Sequence, residues 1–261
     1  MQERMSISPL LCDAQDKKDL ELRNTAILFE DLVGMVVQSE DASPYSMGLL
    51  LHMHKLTVAG IYPCGGEVRQ AGSRVTVSGA HFTPSLPYMI NNDLGELLEM
   101  GRGWPKSVKT MYENVAFAAQ WFHRFLEIHP FMGGNGRVSR TLLTFILYDM
   151  GVLVPPESLL PYIESRRTAF IKTLPHADAG DLKPLASFII RGVLDLHFQR
   201  TVQVFERAAV WGYILPRLTG EQRRLIGRAP YINGLSDDRY RTLVVDTLDH
   251  VTRMLRKLTS V

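Results

Sequence analysis

Between His129 and Arg140 the chain reads HPFMGGNGRVSR. An imidazole, glycines on both sides of one asparagine, and two arginines three apart stand close together. Glycines let backbone N–H groups converge with no Cβ in the way. A helix starting near Gly136 adds its unpaired N–H groups and the positive end of its dipole. Together these make an anion site sized for phosphate. Arg137 and Arg140 fall on one side of that helix mouth, and guanidinium groups grip phosphate oxygens in a fork. His129 is the side chain of this stretch that titrates near neutrality, and a base beside a phosphate donor can take the proton of an incoming hydroxyl. The chemistry available to this set is group transfer at phosphorus.

Two helices must hold such a loop. Before it, residues 106–128 (KSVKTMYENVAFAAQWFHRFLEI) are dense in apolar side chains and predict a buried helix. After it, residues 136–150 predict a second apolar helix, with Gly151 placed as its cap. Upstream, residues 17–38 carry Leu20, Ile27, Leu28, Leu32 and Val36 at helical spacing, and residues 46–58 and 86–101 read as further helices. Residues 60–87 have a different texture, rich in turn formers, with RVTV between glycines predicting a small β-hairpin or flap. Downstream, residues 157–173 and 181–213 are helical, with Pro155-Pro156 and Pro184 as breaks or first-turn residues. Ser236 to Leu258 carries one apolar stripe (Tyr240, Val244, Leu248, Val251, Leu255, Leu258). It reads as a helix packed on the domain, with a partner or homo-oligomer contact as the second reading. The expected fold is all-α, with a small β-hairpin flap and a C-terminal helical extension. Residues 1–200 form the main domain and 201–261 the extension.

Composition narrows the setting. The 261 residues are 46% apolar and 21% charged, ordinary for a globular chain, and the net charge of +2 gives no argument for nucleic acid. Cys12 and Cys64 form no disulfide framework and no metal spacing, so a reducing compartment is the default. No apolar run is long enough to span a membrane, and the N-terminus lacks a signal-peptide core. The expectation is a cytoplasmic protein, or one delivered to a host cell without a cleavable signal. His52 and His54, two apart, cannot face one ligand on a helix and read as surface or core residues. His123 and the tryptophans Trp104, Trp121 and Trp211 read as packing, and His81 as a loop residue of the flap. Glu127 precedes His129 on the wrong side of the cradle to serve as a metal ligand.

The loop resembles the signature of the Fic family, His-x-Phe-x-Asp/Glu-Gly-Asn-Gly-Arg-x-x-Arg, through His129, Phe131, Gly134, Asn135, Gly136, Arg137 and Arg140. The resemblance runs over roughly residues 17–200, including Gly66-Glu67-Val68-Arg69 with RVTVSGAHFTPSLP as the family's flap, and GDLKPLASFI at Gly180 to Ile189. It implies that His129 is the catalytic base and that Phe131 anchors the loop. Gly134, Asn135 and Gly136 would hold the α- and β-phosphates of ATP or another nucleotide, and Arg137 and Arg140 the β- and γ-phosphates. The flap, residues 66–84, would align a protein substrate by strand addition. The implied activity is transfer of AMP, or a related phosphate-linked group, to a protein Ser, Thr or Tyr hydroxyl. The alternatives are a phosphodiesterase or a transferase with another donor on the same scaffold, or a non-catalytic module that binds a nucleotide or a partner.

Three positions depart from the family. Its acidic residue, which holds Mg²⁺, is Gly133 here. Phosphates can keep Mg²⁺ themselves, because that ion retains waters and needs few protein ligands. Gly133 therefore weakens or alters the ordinary mechanism. Many relatives also carry an inhibitory Ser/Thr-x-x-x-Glu helix; counted from Thr25 the glutamate position is Phe29, and Glu30 is one residue late, roughly 100° around a helix. No glutamate brake is expected. On the adenine side, Phe170-Ile171 replace paired tyrosines, and Asp178 stands where an asparagine would bond the base.

Overall fold

Eight α-helices and one 3-10 turn make up the described part of the chain, and it contains no strand. The computed structural model describes residues 14–38, 43–73, 75 and 82–207, with 219, 220, 222 and 246 beyond them. The chain divides into two units, Met1–Ala186 and Ser187–Val261.

The first unit is built around the helices that flank the candidate loop. Helices α1 (Ala14–Gln38), α2 (Met47–Thr57) and α3 (Ile90–Arg102) precede α4 (Met111–Ile128), and α5 (Asn135–Asp149) follows the loop. α4 packs on α3 and α5, while α2 packs on α1, α3 and α5. The interior holds Trp121, Phe122, Phe125, Phe131 and Phe145, each at most 1% exposed. Burying an aromatic side chain of this size contributes about 1.5–3 kcal/mol, so the α4–loop–α5 turn is the apolar centre of the unit.

α4 begins later than its apolar pattern predicts. Lys106–Val108 form the 3-10 turn, and Thr110 then starts the helix: its side chain accepts from the Glu113 N–H while the Glu113 carboxylate accepts from the Thr110 N–H. This reciprocal cap outweighs the apolar signal of the residues before it. α3 likewise starts at Ile90 rather than 86, after a turn in which the Met89 N–H donates to the Leu86 carbonyl.

The helix predicted over 157–173 is two helices, α6 (Leu160–Ser165) and α7 (Arg167–Asp178). Arg166, at φ −122° and ψ 28°, breaks them. α8 (Lys183–Arg207) runs from the end of the first unit into the second. Much of the predicted flap (Arg74, Thr76–His81), the stripe from Ser236 to Leu258 apart from Asp246, and most of the extension 201–261 lie outside the described residues.

Candidate functional site

His129 ends α4 in the left-handed conformation, φ 49° and ψ 59°, the only such non-glycine among the described residues. Its ring Nδ1 lies 3.3 Å from the Leu126 carbonyl. A carbonyl can only accept, so Nδ1 carries the hydrogen and the neutral ring keeps its lone pair on Nε2. Burial lowers the His129 pKa; the Leu126 bond opposes this, and the nearby Arg69 charge adds to it. The imidazole is therefore held as a neutral base at neutral pH.

Arg69 carries much of that geometry. It is 5% exposed, its Nε donates to the His129 carbonyl at 2.8 Å, and its Nη2 donates to the carbonyls of Ile128 and Ser85. Its backbone N–H bonds the Pro130 carbonyl at 2.9 Å. One guanidinium thus satisfies the open C-terminal end of α4 and ties both ends of the flap segment to it.

The loop is pinned from inside. Phe131 is fully buried. The Asn135 side chain accepts from the Phe131 N–H at 3.0 Å and donates to the Phe131 carbonyl at 2.8 Å. Asn135 is 2% exposed, so this side chain shapes the loop and does not face its mouth. His54 stacks on Phe131 with ring centroids 3.7 Å apart. It accepts from the Gly66 N–H on Nδ1 at 3.0 Å and donates from Nε2 to the Gly133 carbonyl at 3.1 Å.

Gly134 sits at φ 79°, and a Cβ there would lie 2.8 Å from Val58, so glycine is required for both conformation and space. Among the described residues, no protein acceptor takes the N–H groups of Gly133, Gly134, Asn135 and Gly136.

Arg137 and Arg140 stand at this mouth with diverging forks. Arg137 pairs with Glu21 of α1 at 3.0 Å and reaches the Thr57 carbonyl at 3.5 Å. Arg140 pairs with Glu164 of α6 at 3.2 Å, and its Nη1 lies 3.3 Å from where a Gly136 Cβ would be. Its Nε is buried without a hydrogen-bond partner, an open donor that suits an anionic ligand. Glu21 and Glu164 are themselves part exposed, so both carboxylates sit at the edge of the site.

Glu21 of α1 is a carboxylate at the loop that the inhibitory-motif spacing did not address. The carboxylate arrives on the first arginine from a position that the spacing from Thr25 does not reach. Asp178 does not face the cradle: its carboxylate bonds His123 at 2.7 Å, and its side chain is 2% exposed. That buried pairing is a contact the sequence reading did not give Asp178. Glu127 pairs with Arg124 on the surface of α4.

Sequence reasoning passed over Arg69 and Tyr62 and left His54 with no task beyond packing. His54 shares one helical stripe with Leu50, Met53 and Thr57, a signal for burial though not for its contact with the loop.

The residues present do not fit a protein-held Mg²⁺. No group of three His, Cys, Asp or Glu side chains among the described residues could hold a metal. Gly133 supplies no carboxylate, and a Cβ there would meet the Tyr62 ring at 3.1 Å.

Residues 44–147 match the model of the Fic/DOC family. Over that stretch the chain is similar to Fic/DOC proteins. It is 30% identical over 158 residues to the protein adenylyltransferase Fic of Drosophila erecta, which covers 58% of this chain and 29% of that protein. The chain thus spans under a third of that relative's length. A Fic family protein from Desulfovibrio desulfuricans shares the fold, with a TM-score of 0.58 at 19% identity over 89% of this chain and 67% of its own. So does the BepC protein of Bartonella tribocorum, solved with bound AMPPNP, with a TM-score of 0.50 at 14% identity over 72% of this chain and 92% of its own.

The geometry of this loop makes two predictions. Asn135→Ala leaves the buried Phe131 N–H and carbonyl unpaired and costs about 2–5 kcal/mol in urea unfolding. The second concerns pH. Burial lowers the His54 pKa to about 4, with the Gly133 bond opposing and the Arg137 charge adding. The unfolded chain therefore binds this proton first, and stability is lost as pH falls from about 6.5 towards 4. The drop is about 3 kcal/mol, read as the difference between wild type and His54→Gln in unfolding at pH 7 and pH 4.

Proposed function

We propose that this chain is a protein nucleotidyltransferase that moves AMP from ATP, or a related group from another nucleotide, to a Ser, Thr or Tyr hydroxyl of a protein. The observation that carries this reading is the run of amides from Gly133 to Gly136, unpaired among the described residues, beside an imidazole whose lone-pair nitrogen has no partner among them either. The relatives' name, protein adenylyltransferase, supports the same reaction class.

In the proposed reaction the target oxygen bonds to the α-phosphorus. The bond from that phosphorus to the α–β bridging oxygen breaks, and pyrophosphate leaves with its electron pair. The hydroxyl proton passes to Nε2 of His129. The loop amides and the two arginines take the charge that builds on the phosphates. Segment 66–84, whose ends Arg69 ties to the loop, is the proposed dock for the protein substrate. The C-terminal extension is proposed as a partner or self-contact surface.

Gly133 favours a second reading, a slower or altered transferase. A lost metal contact of about 1.4–4 kcal/mol slows the step roughly 10–1000-fold. Nucleotide binding without transfer is the third outcome.

Incubating the protein with labelled ATP should give self-labelling that His129→Ala lowers by about 100-fold or more. Nucleotide binding with no transfer in either protein would overturn the catalytic reading. The lowered His129 pKa sets the pH profile: transfer should hold level below pH 6.5, where an ordinary histidine is already protonated, and fall only on further acidification. Single-turnover rates across this range check the sign.

A further inference from the structure

The position where the family keeps an acidic residue is built over in this chain. The Tyr62 ring packs against Gly133, with Cε2 3.1 Å from the point a Cβ would occupy. Lys17 of α1 donates to the Tyr62 hydroxyl at 3.0 Å, and its Nζ stands 5.2 Å from the ring centroid. Lys17 and Glu21 are four residues apart and share one face of α1. Glu21 reaches Arg137, so this face looks onto the loop. Whereas Arg137 and Arg140 are held by carboxylates, Lys17 is held by a neutral hydroxyl. Its ammonium has three hydrogens, and the hydroxyl takes one.

We infer that Lys17, steered by Tyr62, is the counterion for the donor phosphates where the family's acid would hold a divalent cation. This rests on the nucleotide reading above and deepens it. A cation delivered by α1 supplies positive charge to the phosphate oxygens directly, with no carboxylate needed. The two arrangements exclude each other. A carboxylate at 133 would emerge against Tyr62 and beside Lys17, and would pair with that ammonium before any metal. Nucleotide binding by this chain is then nearly independent of Mg²⁺ and depends on Lys17.

Titration of the full chain with a fluorescent ATP analogue, in EDTA and in Mg²⁺, tests this. Wild type should bind within about 3-fold under both conditions. Lys17→Gln should lose about 10-fold or more in EDTA and in Mg²⁺ alike, because Gly133 offers the ion no carboxylate, while Lys17→Arg stays near wild type; one charge-assisted contact to phosphate is of this size. Tyr62→Phe, which keeps the ring and removes the steering hydroxyl, should fall between. Circular dichroism of each variant confirms the fold.

Lys17→Gln binding as tightly as wild type in EDTA, or wild type binding only with Mg²⁺, overturns the role of Lys17 and leaves the nucleotide reading intact. Absence of binding by wild type under both conditions overturns the nucleotide reading and this inference with it. In a further arm, Gly133→Asp alone should gain no Mg²⁺ dependence, and Gly133→Asp with Lys17→Gln should gain it. Mg²⁺ dependence in the single variant also counts against the inference.

Discussion

The two hydrogen bonds between the Asn135 side chain and the Phe131 backbone set the shape of the whole site. Without them the peptide between α4 and α5 could spend its amides on itself. With them, Phe131 is drawn into the aromatic interior, the chain must turn back at Gly134, and the N–H groups around that turn find no acceptor among the described residues. His54 closes the other side by taking the Gly133 carbonyl. The anion cradle thus follows from satisfying one buried residue's polar groups, and the glycines are the positions where that solution leaves no room for a side chain.

The His129 imidazole is organised by the same economy of buried polar groups. The end of α4 leaves carbonyls open, and Arg69 and the His129 ring take them up. What looks like helix capping also chooses the tautomer of His129 and leaves Nε2 with its lone pair. The structural and the chemical arrangement are one arrangement, because the Leu126 carbonyl serves both.

Much of this was legible in the sequence. The spacing from His129 to Arg140 located the loop, and the apolar density on both sides located the helices that frame it. What the residue string could not show depends on contacts far apart in the chain. That the Asn135 side chain clamps the loop was not legible, because its partners sit four residues back on a backbone whose turn is not readable from composition. Asp178 was placed by local resemblance, whereas His123 claims it across 55 positions. Glu21 reaches Arg137, and Lys17 reaches the Tyr62 that lies against Gly133, only through the packing of α1 on α2 and α5. The break at Arg166 and the late start of α4 are local in origin, and the second was visible in Thr110 and Glu113.

The central claim is that a nucleotide's phosphates are received by the amides of the loop. Backbone amide NMR of the full chain during ATP titration tests it most directly. The N–H resonances of Gly133, Gly134, Asn135 and Gly136 should shift together, saturate with one affinity and outrun those of α3. Loop amides that stay unmoved at saturating nucleotide, or shifts confined elsewhere, would contradict the account.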